Sequence, residues 1–421
     1  MRKKILLKAP ILTRSGYGEQ SRFALRALRS REDLYDIYIH PLQWGQTSWI
    51  TLQDEERKWI DEAIEKSIAH AQSNGTYDIS LQVTIPNEWE RIAPMNIGYT
   101  AGIESSIVSP LWLQKGNETM DKIVVVSEHA KNSYVNTVAQ AHNNATGETF
   151  DYRLQTPIES VGYPVKEYDN LPEVDIGVSP DFNFLAVAQF GPRKNLPNTI
   201  KWFVEEFHDE NVGLIVKTNL SKNSLKDREM TMGNLLKSVS EYPDRKCKIY
   251  LIHGDMSDEE MHALYLNKKV SAFLALPHGE GFGLPIFEAA YSGLPVITVG
   301  WSGQVDYLTD NSKKQNFYDV SFDIKQVQPE VVWQNVLIAE SMWSYAREHS
   351  AKTAMRQCYD DITNNVEDSV ASRAKEYASS LHERFSEQKM YEKFISCIYD
   401  EPQEIDWQNW NEDQQGAQEI D

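Results

Sequence analysis

The sequence predicts an α/β protein with two doubly wound parallel sheets, and three observations lead to this fold class. The chain has 421 residues, more than one hydrophobic core usually supports, so two domains are expected. Short strand-like apolar runs alternate with segments of helical spacing through both halves, the arrangement typical of βαβ units. The alternation is interrupted near residues 166–181, in an acidic stretch that contains prolines and shows no period, and then it restarts.

The interruption is interpreted as the linker between the domains. It predicts an N-terminal domain over residues 1–170 and a C-terminal domain over residues 171–365. Residues 366–400 are interpreted as terminal helices that pack back on the N-terminal domain, and residues 401–421 as a flexible acidic tail. Ligands of doubly wound sheets bind at the carboxyl ends of the strands, so the cleft between the two domains is the expected site.

The elements of the first half follow from short local patterns. KILLKAPIL predicts a buried first strand, not a secretory signal, because no small-residue cleavage site follows it. SGYGEQSRFALRALRS predicts a glycine turn and a helix, and residues 51–71 have the apolar spacing and acidic start of another helix. Residues 140–156 are polar and turn-rich, which is typical of a surface insertion. Four apolar runs predict further strands: DLYDIYIHPL, YDISLQVTIP, NIGYT and DKIVVVSE.

The second half repeats the alternation of strands and helices. The sequence SDEEMHALYLNK predicts a helix that opens with a capping box between Ser257 and Glu260. Two other segments predict helices, NLPNTIKWFVEEF and LPIFEAAYSG. The strands of this half are predicted at FNFLAVAQF, VGLIVKTN, VSAFLALP and LPVITVG.

Composition and charge exclude several classes of protein. No apolar run approaches the ~20 residues that a membrane helix needs. The three cysteines are odd in number and far apart, which indicates neither a disulfide framework nor a zinc site and favours a reducing cytoplasm. The net charge is −20, of which seven acids lie in residues 401–421, leaving −13 on the rest. This charge disfavours a DNA partner, although a local basic groove would still permit one.

The segment HGEGFGLPIFEAAYSGLPV, residues 278–296, carries the strongest functional signal. Its glycines alternate with larger residues in a strand-to-helix turn, where backbone amides point outward and favour negative charge. Glu280 lies in this turn and Glu288 about one turn into the helix, so the two carboxylates can hold two parts of an extended ligand. Carboxylates accept charge-assisted hydrogen bonds from hydroxyl pairs, so a ligand that carries both a ribose and a sugar would explain both residues.

The segment resembles the E-x7-E motif of retaining GT-B glycosyltransferases, the family 4-like enzymes also called glycosyl transferases group 1. The family form is EGFGLP…EA…G.PV, and the sequence reproduces it nearly letter for letter. The resemblance covers most of residues 1–400 and implies the GT-B fold, two facing Rossmann-like domains with an interdomain cleft. Further segments resemble the family's N-terminal glycine loop, PS…K..F segment, PRKN segment and the element before the motif: SGYGEQSR, VVVSEHAKNSY, FGPRKNLPNTI and GDMSDEEMHALY.

The resemblance implies a site for a nucleoside-diphosphate sugar, with no other cofactor. Glu288 would bind the ribose hydroxyls and Glu280 those of the donor sugar. Lys194 matches the lysine that neutralises the diphosphate, and a fixed cation there stabilises the charge of the leaving group. Glu280 and Lys194 are therefore candidate catalytic residues. The adjacent turn would contribute to donor binding through Gly281, Phe282, Gly283 and Leu284.

The chain departs from the family pattern at one cation and has no metal motif. Many members carry an arginine about five residues before the lysine, where this chain has Gln189. Arg193 or Lys217 is expected to replace it, and Lys217 is slightly favoured because adjacent residues on a strand-like loop point apart. No D-x-D sequence occurs in the chain, which agrees with cations and helix amides replacing a metal ion.

Candidate residues of the first domain lie in three loops. Gly16 and Gly18 form a G-x-G turn that can pass under the donor diphosphate, and Tyr17 between them is assigned weakly to the acceptor side. Many family members have a histidine near the reacting carbon, and the comparable loop GYTAGIESS has Glu104 instead. Glu104 is thus the third catalytic candidate and His129 the weaker alternative, since a buried or helix-capping histidine is the commoner arrangement.

The sequence is compatible with three functions. The first is sugar transfer from a nucleotide sugar to the hydroxyl of a glycan, a lipid-linked sugar, a protein or a modified nucleobase. Some phage enzymes of this general fold modify DNA bases, and the beginning of the chain is similar in character to phage sequences. The second is a non-catalytic scaffold of the same fold that binds carbohydrate or a protein. The third is other chemistry on this fold, such as epimerisation or phosphorolysis.

Overall fold

The protein is described by a computed structural model over residues 2–45, 47–142 and 146–398. It contains two six-stranded sheets, and every pairing within each of them is parallel. The predicted fold class, two Rossmann-like α/β domains, is confirmed. The predicted tail at residues 401–421 lies outside the described residues.

The first sheet and its helices occupy the N-terminal part of the chain. Its strand order is β2-β1-β3-β4-β5-β8, and β6 and β7 form a separate antiparallel hairpin within the segment predicted as an insertion. The bounds are β1 Lys3–Ala9, α1 Gly16–Arg29, β2 Tyr35–Pro41, α2 Glu55–Gln72, β3 Ile79–Val83, β4 Met95–Thr100, α3 Pro110–Thr119, β5 Lys122–Val125, α4 Glu128–Asn136, β6 Ala139–His142, β7 Thr149–Tyr152 and β8 Ile158–Ser160.

The second sheet follows the linker and has the order β11-β10-β9-β12-β13-β14. A second antiparallel hairpin, β15–β16, follows it, and then the last three helices. The bounds are β9 Asn183–Val187, α5 Leu196–Glu206, β10 Gly213–Lys217, α6 Leu225–Ser238, β11 Lys248–Ile252, α7 Asp258–Tyr265, β12 Ala272–Leu274, α8 Leu284–Tyr291, β13 Val296–Val299, α9 Val305–Leu308, β14 Tyr318–Val320, β15 Phe322–Gln326, β16 Met342–Ala346, α10 Glu348–Thr363, α11 Val370–Arg384 and α12 Glu387–Ile398.

The order of the second sheet creates a crevice at one defined place. Counted from β9, the strands run 3-2-1-4-5-6, which is the order of dinucleotide-binding folds. The first strand, β9, pairs with both β10 and β12, so the chain reverses its winding between β9 and β12. Loops that follow these two strands separate and leave a crevice at the carboxyl edge of the sheet. Both loops carry residues predicted for the donor site.

Apolar burial explains why these segments become central strands. In β10, Leu214, Ile215 and Val216 are fully buried, as expected for a parallel strand covered on both faces. The capping box predicted at the start of α7 is confirmed: the side chain of Ser257 accepts from the backbone of Glu260, and the Glu260 carboxylate accepts from the backbone of Ser257.

The terminal helices contact both domains. Phe394 of α12 packs edge-on against Phe23 of α1, with ring centroids 5.2 Å apart. In contrast, α11 lies on the second domain, where the hydroxyl of Tyr377 donates to the backbone carbonyl of Tyr307. The last helix therefore lies on the N-terminal domain while the helix before it packs on the C-terminal one. The domain boundaries themselves stay a prediction.

Sequence patterns did not identify α6, β11 or the hairpin β15–β16. In α6 apolar and polar residues are mixed on both faces: Leu225, Met232 and Leu236 are exposed while Asp227 and Thr231 are buried, so the helix has no clear apolar period. In β15 the side chains are exposed or half-buried, which removes the continuous apolar run of a central strand. No helix among the described residues is long and apolar enough to cross a membrane.

Candidate functional site

A cleft separates the two domains at the carboxyl edges of both sheets. Its cavity volume is roughly 870 Å³, near the upper end of the about 300–1,000 Å³ that a pocket for one small molecule commonly occupies. Its walls come mainly from four loops, which follow β1, β4, β9 and β12. The volume suits one extended ligand.

Glycines at the turn after β12 let the two domains approach each other. A Cβ on Gly279 would lie 2.0 Å from the backbone oxygen of Glu104, and one on Gly281 would lie 2.2 Å from that of Ala101. Any larger side chain at these positions would push the first domain away. Gly283 is required for another reason, because it begins α8 with φ +90, a left-handed conformation.

Glu280 lies between two cations on the wall of the cleft. Its side chain is only 9% exposed, and it accepts hydrogen bonds from Lys194 and from Nη1 of Arg193, the latter at 3.0 Å. Its backbone N–H donates to Oγ of Ser302 at 2.9 Å. Burial by itself would raise the pKa of Glu280, but the charges and hydrogen bonds of Lys194 and Arg193 outweigh it and lower that pKa. Glu280 is thus held as a carboxylate.

Arg193 joins the two domains through a second carboxylate. Its Nη2 lies 3.3 Å from Oε1 of Glu104, and its Nη1 also donates to the carbonyl of Gly279 at 2.7 Å. The side chains of Arg193 and Glu104 are 28% and 27% exposed, so this pair is more open to solvent than Glu280. Glu104, Arg193, Glu280 and Lys194 form one chain of alternating charge across the cleft, which we call the charge chain.

Arg193 and Lys194 do not point apart, which was the expectation that favoured Lys217. Residues 192–194 form a short 3-10 turn, not an extended loop, so the side chains of Arg193 and Lys194 converge on Glu280. Lys217, at the end of β10, donates to the carbonyl of Gly254 at 2.6 Å and does not line the cleft. Burial lowers the pKa of Lys217. Which cation replaces the missing arginine stays a prediction, and the geometry favours Arg193.

Glu288 occupies a different environment from Glu280. It lines a small adjoining cavity of about 20 Å³, which shares Glu19, Tyr163 and Leu284 with the wall of the cleft. The hydroxyl of Tyr265 donates to Oε2 of Glu288 at 2.9 Å. Burial raises the pKa of Glu288 to about 7, despite the opposing charge of Lys166. Its carboxyl therefore titrates near neutral pH.

The residues of the G-x-G turn have separate roles. Gly16 lines the cleft and has open space where a side chain would be. Gly18 lies inside α1, where a Cβ would be 2.0 Å from the carbonyl oxygen of Thr13, so it serves the packing of that helix. Tyr17 is buried; its hydroxyl is 2.7 Å from Oγ1 of Thr100 and accepts from the backbone N–H of Gly102. Tyr17 thereby holds the loop that carries Glu104.

His129 does not line the cleft. Its ring packs edge-on against Trp301 with centroids 4.8 Å apart, and burial lowers its pKa to about 4. A histidine in this state is neutral at pH 7. His278, next to the glycine turn, stacks on Trp343, and its Nδ1 is 2.7 Å from the carbonyl of Ser344.

Sequence reasoning missed the partners that orient the predicted residues. Ser302 holds the backbone of Glu280, and Tyr265 contacts Glu288 from α7. Lys166 bridges the domains, because it pairs with Glu19 at 3.0 Å and Asp258 at 2.7 Å. No local pattern marks these three residues, since each acquires its role only through a contact distant in sequence.

Residues 244–328 match the family model described as "Glycosyl transferases group 1". This region is thus similar to the group 1 glycosyltransferases. It includes both Glu280 and Glu288, so the family recognised from the motif is confirmed. Among curated proteins, the chain is 27% identical over 206 residues to the serotype-specific mannosyltransferase WbdA of Escherichia coli. That alignment covers 45% of this chain, and the chain spans about a fifth (22%) of the relative's length.

Several solved structures share the fold of nearly the whole chain. A glycosyltransferase from Rickettsia africae aligns over 95% of this chain and 100% of its own, with a TM-score of 0.59 and 12% identity. The sucrose-phosphate synthase of Thermosynechococcus elongatus aligns over 94% and 98%, with a TM-score of 0.56 and 12% identity. Anabaena HepE, determined in complex with UDP and glucose, aligns over 94% and 99%, with a TM-score of 0.54 and 12% identity. The group 1 region thus lies within a GT-B fold.

Proposed function

We propose that the protein is a retaining glycosyltransferase that moves a sugar from a nucleoside-diphosphate sugar to an acceptor hydroxyl without a metal ion. The observation that carries the proposal is the Lys194–Glu280–Arg193 cluster on the wall of the cleft. Two cations beside one buried carboxylate suit a ligand that combines phosphate groups with hydroxyls. The match of residues 244–328 to the group 1 family model supports the same reaction.

In the proposed complex, the diphosphate of the donor takes Lys194 and Arg193 as partners, since both are cationic hydrogen-bond donors that converge on Glu280. Glu280 then accepts from hydroxyls of the donor sugar, and the backbone of Gly281 to Leu284 lies beside the diphosphate at the start of α8. Glu288 accepts from the ribose hydroxyls at the adjoining cavity, which widens from about 20 Å³ to admit them. The two carboxylates therefore hold opposite ends of one donor.

In the proposed reaction, the bond between the anomeric carbon and the terminal phosphate oxygen breaks as the acceptor oxygen forms its bond on the same face of the sugar. The proton of the acceptor hydroxyl passes to the departing phosphate oxygen, and the products are a glycoside and a nucleoside diphosphate. Lys194 and Arg193 stabilise the negative charge that develops on the leaving group. Glu104, on the opposite wall, faces the acceptor side and orients the attacking hydroxyl.

A panel of UDP-, GDP- and ADP-sugars tests the proposal. UDP sugars come first, because the HepE structure of the same fold holds UDP and glucose. Release of nucleoside diphosphate from at least one donor, unchanged by EDTA, is the expected result, and proton NMR should show the donor's anomeric configuration in the product. Isomerisation of the nucleotide sugar or a requirement for inorganic phosphate would instead indicate other chemistry. Nucleotide binding without any turnover would favour a non-catalytic scaffold.

A further inference from the structure

One segment of the cleft wall lies beyond the matched family region. Residues 327–341 connect β15 to β16, and the match to the family model ends at residue 328. We call residues 327–341 the connecting wall. Several of its side chains line the interdomain cleft: Val331, Trp333, Val336 and Leu337. These four residues all lie after residue 328 and thus outside the matched region.

The connecting wall is fixed to the opposite domain. The side-chain amide of Asn87 donates to the carbonyl of Asn335 at 3.1 Å, and Val336 packs against the first-domain cluster of buried residues around Trp112. Just after the wall, the backbone N–H of Ser106 donates to the carbonyl of Met342 at 2.8 Å. The wall thus spans the mouth of the cleft from the second domain to the first.

The wall is also tied to the glycine turn that carries Glu280. The backbone N–H of Ser344 in β16 donates to the carbonyl of His278 at 2.8 Å, and Nδ1 of His278 is 2.7 Å from the carbonyl of Ser344. These contacts hold the hairpin against the residues beside Glu280. A ligand on the wall would consequently lie at a fixed place relative to the charge chain.

A tight turn presents Trp333 to the solvent in the cleft. The backbone groups of Trp333 and Leu337 bond to each other in both directions at 2.9 Å, and Asn335 adopts a left-handed conformation with φ +62. Although its backbone is held in this way, the side chain of Trp333 is 61% exposed. An exposed indole on a rigid turn offers a flat apolar face at little cost in conformational entropy.

Charge at this end of the cleft decides between classes of acceptor. The connecting wall has no lysine or arginine and two glutamates, and the first-domain loops facing it, residues 84–90 and 101–109, have no lysine or arginine either. A nucleic acid or an anionic lipid headgroup needs cations for its phosphates. A neutral sugar ring needs instead a flat apolar face and neutral polar groups, which Trp333, Gln334 and Asn335 provide.

We propose that Trp333 is an acceptor-binding residue and that the acceptor is the pyranose end of a neutral oligosaccharide, stacked on the indole between the connecting wall and the Glu104 loop. Because this assignment rests on the proposed function, the test has to separate the donor reaction from recognition of the acceptor. Slow hydrolysis of the donor by water measures the donor reaction. The KM for an oligosaccharide measures recognition of the acceptor.

The experiment measures transfer to a panel of short gluco-, galacto- and manno-oligosaccharides by the wild type, Trp333→Ala and Trp333→Tyr. We expect Trp333→Ala to raise the acceptor KM about tenfold, the scale of one lost aromatic contact, with donor KM and donor hydrolysis unchanged. Trp333→Tyr should recover most of the affinity. The matched control is Val332→Ala, which truncates an exposed neighbour that does not line the cleft.

Three outcomes would overturn the assignment while leaving the donor reaction intact. They are an unchanged acceptor KM in Trp333→Ala, an equal loss in Val332→Ala, and transfer only to a polyprenyl-phosphate-linked sugar or a nucleic acid. By contrast, if the wild type neither hydrolyses nor transfers any nucleotide sugar, the proposed function itself fails. Since Trp333 is exposed, the melting temperature of Trp333→Ala should match that of the wild type.

Discussion

Glu280 and Glu288 come from one short motif, yet the fold gives them opposite electrostatic environments. Glu280 accepts from two cations that belong to the loop after β9, and its pKa is lowered. Glu288 accepts from the hydroxyl of Tyr265, and burial raises its pKa to about 7. Sequence spacing places both on the same turn and helix, but the neighbours that each one meets come from distant segments. The motif therefore fixes the positions of the two carboxylates in the chain, whereas tertiary contacts set their pKa values.

Replacing Glu280 should have the largest effect. Glu280→Gln is expected to reduce kcat about a hundredfold or more, because the sugar loses a charged acceptor at the reacting end. The same change should tighten binding of UDP, since Lys194 and Arg193 lose the carboxylate that competes with the phosphates. Steady-state kinetics and calorimetry measure the two effects. Glu288→Gln is the matched control and should raise the donor KM more than it lowers kcat. Equal turnover in wild type and Glu280→Gln would remove Glu280 from the reaction.

The cations beside Glu280 provide the next test. Lys194→Met should lower kcat/KM for the donor by about thirtyfold, because one of the two charges facing the diphosphate is lost. Lys217→Met should change it less than about threefold, since Lys217 bonds to the carbonyl of Gly254 outside the cleft. Initial rates over a range of donor concentrations decide between them. A larger effect at Lys217 than at Lys194 would place Lys217 at the diphosphate and reverse the preference for Arg193 over Lys217.

Titration of Glu288 predicts a pH dependence that Glu280 does not share. The carboxyl of Glu288 is ionised above its pKa of about 7 and protonated below it. Donor affinity should therefore fall about tenfold as the pH is lowered from 8 to 6, following the ionised fraction. The lowered pKa of Glu280 keeps that residue ionised over the same range. The measurement is donor KM against pH, and a profile that keeps its slope in Glu288→Gln would assign the titration to another group.

The raised pKa of Glu288 also predicts how the free energy of unfolding changes with pH. Since the folded pKa of Glu288 exceeds its ordinary value of 4.5, the folded state binds the proton more tightly than the unfolded chain. The stabilisation of the folded state by protonated Glu288 is therefore fully present below pH 4.5, and it is lost as the pH rises through about 7. The free energy of unfolding of the wild type should thus decline, relative to Glu288→Gln, between pH 5 and pH 8. Urea titrations at the two pH values measure this difference.

Glu104 should show the smallest effect on stability. Its pair with Arg193 is partly exposed, with side chains 27% and 28% accessible, whereas Glu280 is 9% exposed. Glu104→Gln is expected to change the free energy of unfolding by less than about 1 kcal/mol. It should slow transfer to an acceptor while donor hydrolysis continues. Thermal denaturation together with both rates tests this, and a loss of donor hydrolysis would place Glu104 on the donor side.

Local patterns were sufficient for the fold class and for most strands of both sheets. Parallel strands buried on both faces form continuous apolar runs, as in β9 and β10, and these runs are visible without an alignment. Patterns failed where burial is one-sided or low, as in α6 and the hairpin β15–β16. The hairpin matters most, because it carries Trp333 into the cleft, and an isolated tryptophan in a polar loop has no distinguishing spacing.

By itself, the sequence determined which family residues 244–328 resemble and that Glu280 and Glu288 lie on a strand-to-helix turn and the helix after it, because glycine, proline and helical spacing act locally. The tertiary structure alone decided that Arg193 turns toward Glu280, that Glu104 meets it from the other domain, and that Glu288 is buried beside Tyr265. It also decided why Gly279 and Gly281 must be glycine, since the obstacle is the backbone of the opposite domain. Charge state and close packing depend on neighbours far apart in the chain, and only folding brings them together.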